Sequence, residues 1–245
     1  MNVIIRISFL LLFFGAAGIP VPAAPIQSLK PGIYQQEMNR EDGSIVRYGL
    51  FIPTRIENAE KIPLIIALHY GGQVTPYYGL SYMKLLVEPS FRRFGAIIVA
   101  PDCPFQTWRT ERSETAVIDL IEYLKGSYPI DDRCIALTGF SLGGMGTWHL
   151  IARHSDIFSA AIVMSGRSDP KDLEMITTTP IYIIHSDADE VLPLANARES
   201  FTALKQKGVP VYLKIVRGIG HYRTADFIPA LESARTWLKK TWKIK

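Results

Sequence analysis

The sequence predicts an α/β protein, with a mostly parallel twisted sheet, helices on both faces and an N-terminal antiparallel hairpin. Three observations predict it. Short apolar runs recur without polar alternation, as strands buried on both faces of a parallel sheet require. Amphipathic stretches long enough for crossover helices lie between them, notably residues 113–125 and 196–206. No repeat, low-complexity tract or interdomain linker breaks the alternation, so residues 24–245 read as a single domain. A hydrophobic fraction of 48% with 11% aromatics supplies ample material for a core and argues against disorder.

Taken in order, the chain begins with a segment unlike the rest. One arginine, Arg6, precedes an almost wholly apolar stretch at 7–19, and Val21-Pro22-Ala23 then offers the small residues that a signal peptidase reads. The stretch is shorter than the roughly 20 residues of a membrane span. Residues 1–23 are therefore expected to be a signal peptide cleaved after Ala23, leaving no stable membrane span and an exported protein in periplasm or medium. Residues 32–38 and 44–52 flank the turn Asn39-Arg40-Glu41-Asp42-Gly43 and read as the hairpin. Apolar runs at 63–68, 96–100, 135–138, 160–164, 181–184 and 211–216 follow as the parallel strands.

A formal net charge of +4 is too small to argue for a nucleic-acid partner. The lysines at 239, 240, 243 and 245 suit the last turn of a terminal helix, where cations favour the dipole. Cys103 follows one strand and Cys134 begins another, at opposite ends of parallel strands about 17–20 Å long. That separation far exceeds the limit of about 7 Å between Cα atoms for a disulfide, so two free thiols are expected.

The chemistry centres on Gly139-Phe140-Ser141-Leu142-Gly143. The apolar run Cys134-Ile135-Ala136-Leu137-Thr138 precedes this G-x-S-x-G, and a helix-like stretch follows it. Strand, tight turn with serine at the apex, then helix is a nucleophile elbow. A serine hydroxyl needs a base. Of the five histidines, His149 and His154 belong to the helix after the elbow and read as structural or solvent-facing. His69 and His185 end strands. His221, in Gly218-Ile219-Gly220-His221-Tyr222 after the last strand, can reach over the serine, and the chain order Ser, acid, His fits it. For the acid, Asp189 is favoured because it lies further into its loop; Asp187 competes with it. Asp169 is a weaker choice, and Asp102 precedes the serine in sequence. Oxyanion donors are expected at the amide of Leu142 and at Gly71, with Tyr70 the alternative.

Together these residues resemble the α/β-hydrolase superfamily over nearly the whole mature length. More closely, the chain resembles exported, lidless carboxylesterases grouped with feruloyl esterases, polyhydroxybutyrate depolymerases and predicted prolyl-oligopeptidase-like peptidases. The carrying segments are Leu68-His69-Tyr70-Gly71-Gly72, Ala100-Pro101-Asp102-Cys103-Pro104, Tyr128-Pro129-Ile130-Asp131-Asp132-Arg133 and, most specific, residues 138–148. The family's H-G-x-x-D-x-x-V-P block stands here as His185-Ser186-Asp187-Ala188-Asp189-Glu190-Val191-Leu192-Pro193, which implies Asp189 as the acid. Its closing G-H matches Gly220-His221. Tyr70 and Ser186 replace family glycines. The resemblance implies an α/β-hydrolase fold and carboxylic ester hydrolysis through Ser141, His221 and Asp189, without metal or organic cofactor. Its substrate would be a small-molecule or polymer-end ester. A serine peptidase and a catalytically silent binding protein are the alternatives. Tyr77, Tyr78, Tyr82 and the loop 104–112 either wall the substrate or pack the loops onto the body.

Overall fold

The computed structural model describes residues 29–54 and 60–244. The expected signal peptide at 1–23 lies outside them. Eight strands form one sheet: β1 (Gly32–Asn39), β2 (Ile45–Ile52), β3 (Ile62–Leu68), β4 (Ile97–Pro101), β5 (Ile130–Phe140), β6 (Ala160–Met164), β7 (Ile181–Ser186) and β8 (Val211–Val216). Their spatial order is β1-β2-β4-β3-β5-β6-β7-β8. The first two form the expected antiparallel hairpin, and β2 is also antiparallel to β4. Every pairing from β4 onward is parallel.

Residue alternation along the strands sorts the core into two layers. Leu64, Ile66 and Leu68 of β3 face α3 (Glu111–Ser127), α4 (Leu142–Arg153) and α6 (Leu194–Gln206), burying Leu120, Ile121, Trp148, Ile151 and Leu204. Ile65 and Ala67 face the opposite way, onto α1 (Tyr78–Tyr82), α2 (Glu88–Phe91) and α7 (Ile228–Trp242). The short α5 (Pro170–Met175) follows β6. A π-helical turn, Met83–Val87, joins α1 to α2. Among the described residues, no helix is long and apolar enough to cross a membrane.

Two strands depart from expectation. β5 starts five residues before the apolar run at 135, because Ile130 pairs with Ile62 before a register shift resumes the ladder at Ile135 with Leu64. The polar Asp131-Asp132-Arg133 between those pairs turns outward, with Asp131 and Arg133 ion-paired at 3.0 Å, and so hides the strand from an apolar count. β8 was expected to be buried on both faces. It is instead the sheet edge and half-exposed along its length, since it has a neighbour on one side only. Both cysteines are buried and free.

Candidate active site

The turn between β5 and α4 sets Ser141 at φ 54° and ψ −114°, a left-handed backbone costing about 1–3 kcal/mol for a residue with a Cβ. Two hydrogen bonds hold it there: the Ser141 N–H donates to Met164 O at 2.9 Å, and its carbonyl accepts from Met145 N at 2.9 Å. The flanking glycines are sterically required. A Cβ on Gly139 would press into the Gly143 carbonyl, and one on Gly143 into the Leu68 carbonyl. Gly144 packs the same way on β6, where a Cβ would sit 2.7 Å from Met164 O. Such contacts bring the helix end against the strand ends and lift the serine side chain to the sheet's carboxyl edge.

There the sequence's leading candidates meet. His221 Nε2 lies 2.8 Å from Ser141 Oγ, and His221 Nδ1 lies 2.9 Å from Asp189 Oδ2. The imidazole is buried, tilted against the Phe140 ring at 5.3 Å between centroids. Asp189 is held by its own loop: Oδ1 accepts the N–H of Val191 at 3.0 Å and of Leu192 at 2.8 Å. Burial pushes the Asp189 carboxyl upward, but the Leu192 and Val191 amides and the His221 ring outweigh it, leaving its pKa below the usual value. The carboxylate is therefore ionised at neutral pH. It requires Nδ1 of His221 to carry the proton, so that Nε2 accepts from the serine hydroxyl.

The competing acids serve elsewhere. Asp187 accepts the Gly218 N–H at 2.8 Å and pins the loop after β8. Asp169 caps α5 and pairs with Arg109 at 2.8 Å. Asp102 accepts the backbone N–H groups of Tyr77 and Gly79. The remaining histidines are structural in their contacts. His149 and His154 share the two oxygens of Glu114, at 3.1 and 2.8 Å. His185 Nε2 donates to Leu192 O at 2.7 Å, closing the Asp189 loop.

His69 staples the segment that carries Tyr70 and Gly71. Its Nδ1–H donates to Tyr70 O at 2.7 Å, Nε2 accepts the Cys103 N–H at 2.9 Å, and Trp108 Nε1 donates to its carbonyl at 2.9 Å. Burial lowers the His69 pKa to about 4, so the ring is the neutral tautomer these bonds require. The segment runs beside the start of α4: a Cβ on Gly71 would stand 3.8 Å from the Leu142 side chain. Tyr70 and Gly71 both line the cavity into which Ser141 and His221 open.

That cavity, about 390 Å³, is completed by Leu85, Phe140, Val191, Tyr222 and Thr224. None of the aromatics weighed as a substrate wall is among the residues lining this cavity. Tyr82 and Trp108 are fully buried, and Phe105 lies outside under the Arg112 guanidinium at 4.5 Å. Sequence reasoning missed Leu85, Val191, Tyr222 and one more residue, Glu190, whose Oε2 accepts the His221 backbone N–H at 2.9 Å. The Asp189-Glu190 pair thus grips His221 twice, at the ring and at the backbone. Adjacency was the available signal: Glu190 follows Asp189, and Tyr222 follows His221.

The model of the Dienelactone hydrolase family matches residues 100–234, more than half of the chain. The chain belongs to this family. The dienelactone hydrolase match contains Ser141, Asp189 and His221 but stops short of Tyr70 and Gly71. Among curated relatives, a bifunctional acetylxylan esterase/xylanase of Neocallimastix patriciarum is 26% identical over 162 residues, 64% of this chain and 23% of that protein. Feruloyl esterase B of Talaromyces funiculosus is 27% identical over 133 residues, 51% of this chain and 37% of its own length. The chain therefore spans well under half of either relative. A crystal structure of a thermostable esterase superposes with a TM-score of 0.72 at 26% identity, covering 85% of this chain and 62% of that one. The α/β-hydrolase fold expected from the sequence is thereby established.

Proposed function

We propose that this dienelactone hydrolase family member is a serine hydrolase of carboxylic esters. The observation that carries the reading is the hydrogen-bonded run Ser141 Oγ to His221 Nε2 to Asp189, 2.8 and 2.9 Å, opening into a cavity. Low-identity relatives named as esterases support it. Ser141 Oγ attacks the ester carbonyl carbon as its proton passes to His221 Nε2. The carbonyl oxygen becomes an oxyanion, which the Leu142 amide at the start of α4 and the amide of Gly71 stabilise, each worth about 2.7–4 kcal/mol. The tetrahedral intermediate collapses, the C–O bond to the alcohol breaks, and His221 protonates the departing alkoxide. Water then gives a proton to His221 and its oxygen to the acyl carbon, releasing the acid and restoring Ser141. Throughout, ionised Asp189 stabilises the imidazolium. Residues 24–245 act as one domain in this reading, exported by the leader at 1–23.

The test is labelling of purified protein with a fluorophosphonate probe alongside a screen of p-nitrophenyl esters, feruloyl esters and short peptides. Ester turnover with the probe on Ser141 is the expected outcome. Labelling with turnover of peptides alone transfers the same residues to a peptidase, and absence of both leaves a silent scaffold.

Glu190 enters the same mechanism as a positioning residue. Glu190→Ala should lower kcat about tenfold at little change in KM, since one charge-assisted hydrogen bond to the His221 backbone is lost. Glu190→Gln retains an amide oxygen for that N–H and should recover most of the rate. Equal kcat in wild type and Glu190→Ala would remove Glu190 from the mechanism.

A further inference from the structure

We propose that Leu85, Val191 and Tyr222 form the subsite for an uncharged, apolar part of the ester, and that Leu85 limits its length; this rests on the ester-hydrolase reading above. Eight large hydrophobic side chains are exposed among the described residues, and three of them line the cavity into which Ser141 and His221 open. Leu85 is 40% exposed, Val191 44% and Tyr222 80%. Exposed apolar groups are unremarkable when scattered, but three converging from separate segments mark a binding surface. They come from the π-turn, the loop after β7 and the loop after β8.

The π-turn explains how Leu85 gets there. The Glu88 N–H reaches back to Met83 O, which inserts one extra residue into the helix. Met83, Leu86 and Val87 stay buried in the core, and Leu85 faces the cavity. The cavity volume of about 390 Å³ is near the small end for ligand sites, roughly 300–1,000 Å³. Its lining contains no lysine, arginine, aspartate or glutamate. Arg223, next to Tyr222, is engaged by Asp226 at 2.5 Å. The charges placed around this wall are carboxylates: Asp189 Oδ1 accepts the Val191 N–H at 3.0 Å and Glu190 Oε2 the His221 N–H at 2.9 Å. A substrate carboxylate entering here would lose its hydration with no cation to replace it.

The experiment measures kcat/KM for p-nitrophenyl acetate, butyrate and octanoate, for the anionic mono-p-nitrophenyl succinate, and for ethyl to octyl acetates. Wild type should favour butyrate over succinate by about tenfold or more. Leu85→Trp should lower the octanoate-to-acetate ratio, or its counterpart among the alkyl acetates, about tenfold. Leu85→Ala should raise the same ratio, and Val191→Trp should act like Leu85→Trp. Which of the two series responds assigns the subsite to the acyl or the alcohol side. Ratios unchanged in all three variants, or succinate turned over as well as butyrate, overturn the subsite while leaving the hydrolase reading intact. A wild type that cleaves no ester overturns both.

Discussion

Ser141→Ala should lower kcat for p-nitrophenyl butyrate by about 10⁶, with the folded state preserved. The expected loss is this large because the Ser141 hydroxyl, 2.8 Å from His221 Nε2, is placed both to attack and to surrender its proton. What survives comes from the oxyanion donors and from binding, about 10³–10⁴ over water in comparable systems. Stability should change little. The strained backbone is held by bonds from Ser141 N to Met164 O and from Met145 N to Ser141 O, neither of which involves the side chain. Steady-state rates with a thermal melt on the same preparation check both halves. A fall of less than about a hundredfold, in a variant that melts like wild type, would show that another group performs the attack.

Asp189→Asn is expected to cost about 10⁴ in kcat, and the surroundings of Asp189 explain why. Its Oδ1 accepts the Val191 and Leu192 amides and lies 3.0 Å from His221 Nδ1, and its Oδ2 lies 2.9 Å from the same nitrogen. An asparagine must keep its oxygen toward the two amides, which turns its NH₂ toward Nδ1. Donor would then face donor across the shorter of the two contacts, which favours the ring carrying its proton on Nε2, where it can no longer accept one from Ser141. The loop should remain in place, because the amides keep their acceptor. The measurement is kcat of the variant together with the imidazole nitrogen chemical shifts of His221, which report the tautomer. Near-wild-type activity with Nε2 protonated would contradict the assigned direction of proton transfer.

The candidate site was legible wherever its chemistry coincided with strand ends. Ser141, Asp189 and His221 each follow an apolar run, and a parallel sheet delivers such positions to one edge. The order of the three along the chain then left little choice. Position in the loop favoured Asp189 over Asp187 without deciding between them, and the family resemblance carried the choice, because both follow β7 within three residues and only the loop's hydrogen bonds separate their roles. Leu85 was invisible for a different reason: a π-turn breaks the period by which a helix face is read. Val191 and Leu192 are adjacent apolar residues in one loop, and nothing in their order says that Leu192 is buried while Val191 lines the cavity. In the sheet, β8 looked interior because its sequence is apolar, whereas edge position is a property of the pairing. The start of β5 was hidden by the charged residues that its register shift expels.

The glycine contacts around the elbow divide this protein into positions closed to change and positions open to it. Gly139, Gly143 and Gly144 each have backbone where a side chain would go, and Gly146 has the Trp108 side chain there. Any drift at these sites breaks the fold before it can alter the reaction. Leu85, Val191 and Tyr222 stand at the opposite extreme, exposed, so their replacement typically shifts stability by no more than about 0.5 kcal/mol. A lineage carrying this scaffold can therefore exchange substrates through single substitutions at the rim, each viable on its own, while the nucleophile beneath stays fixed.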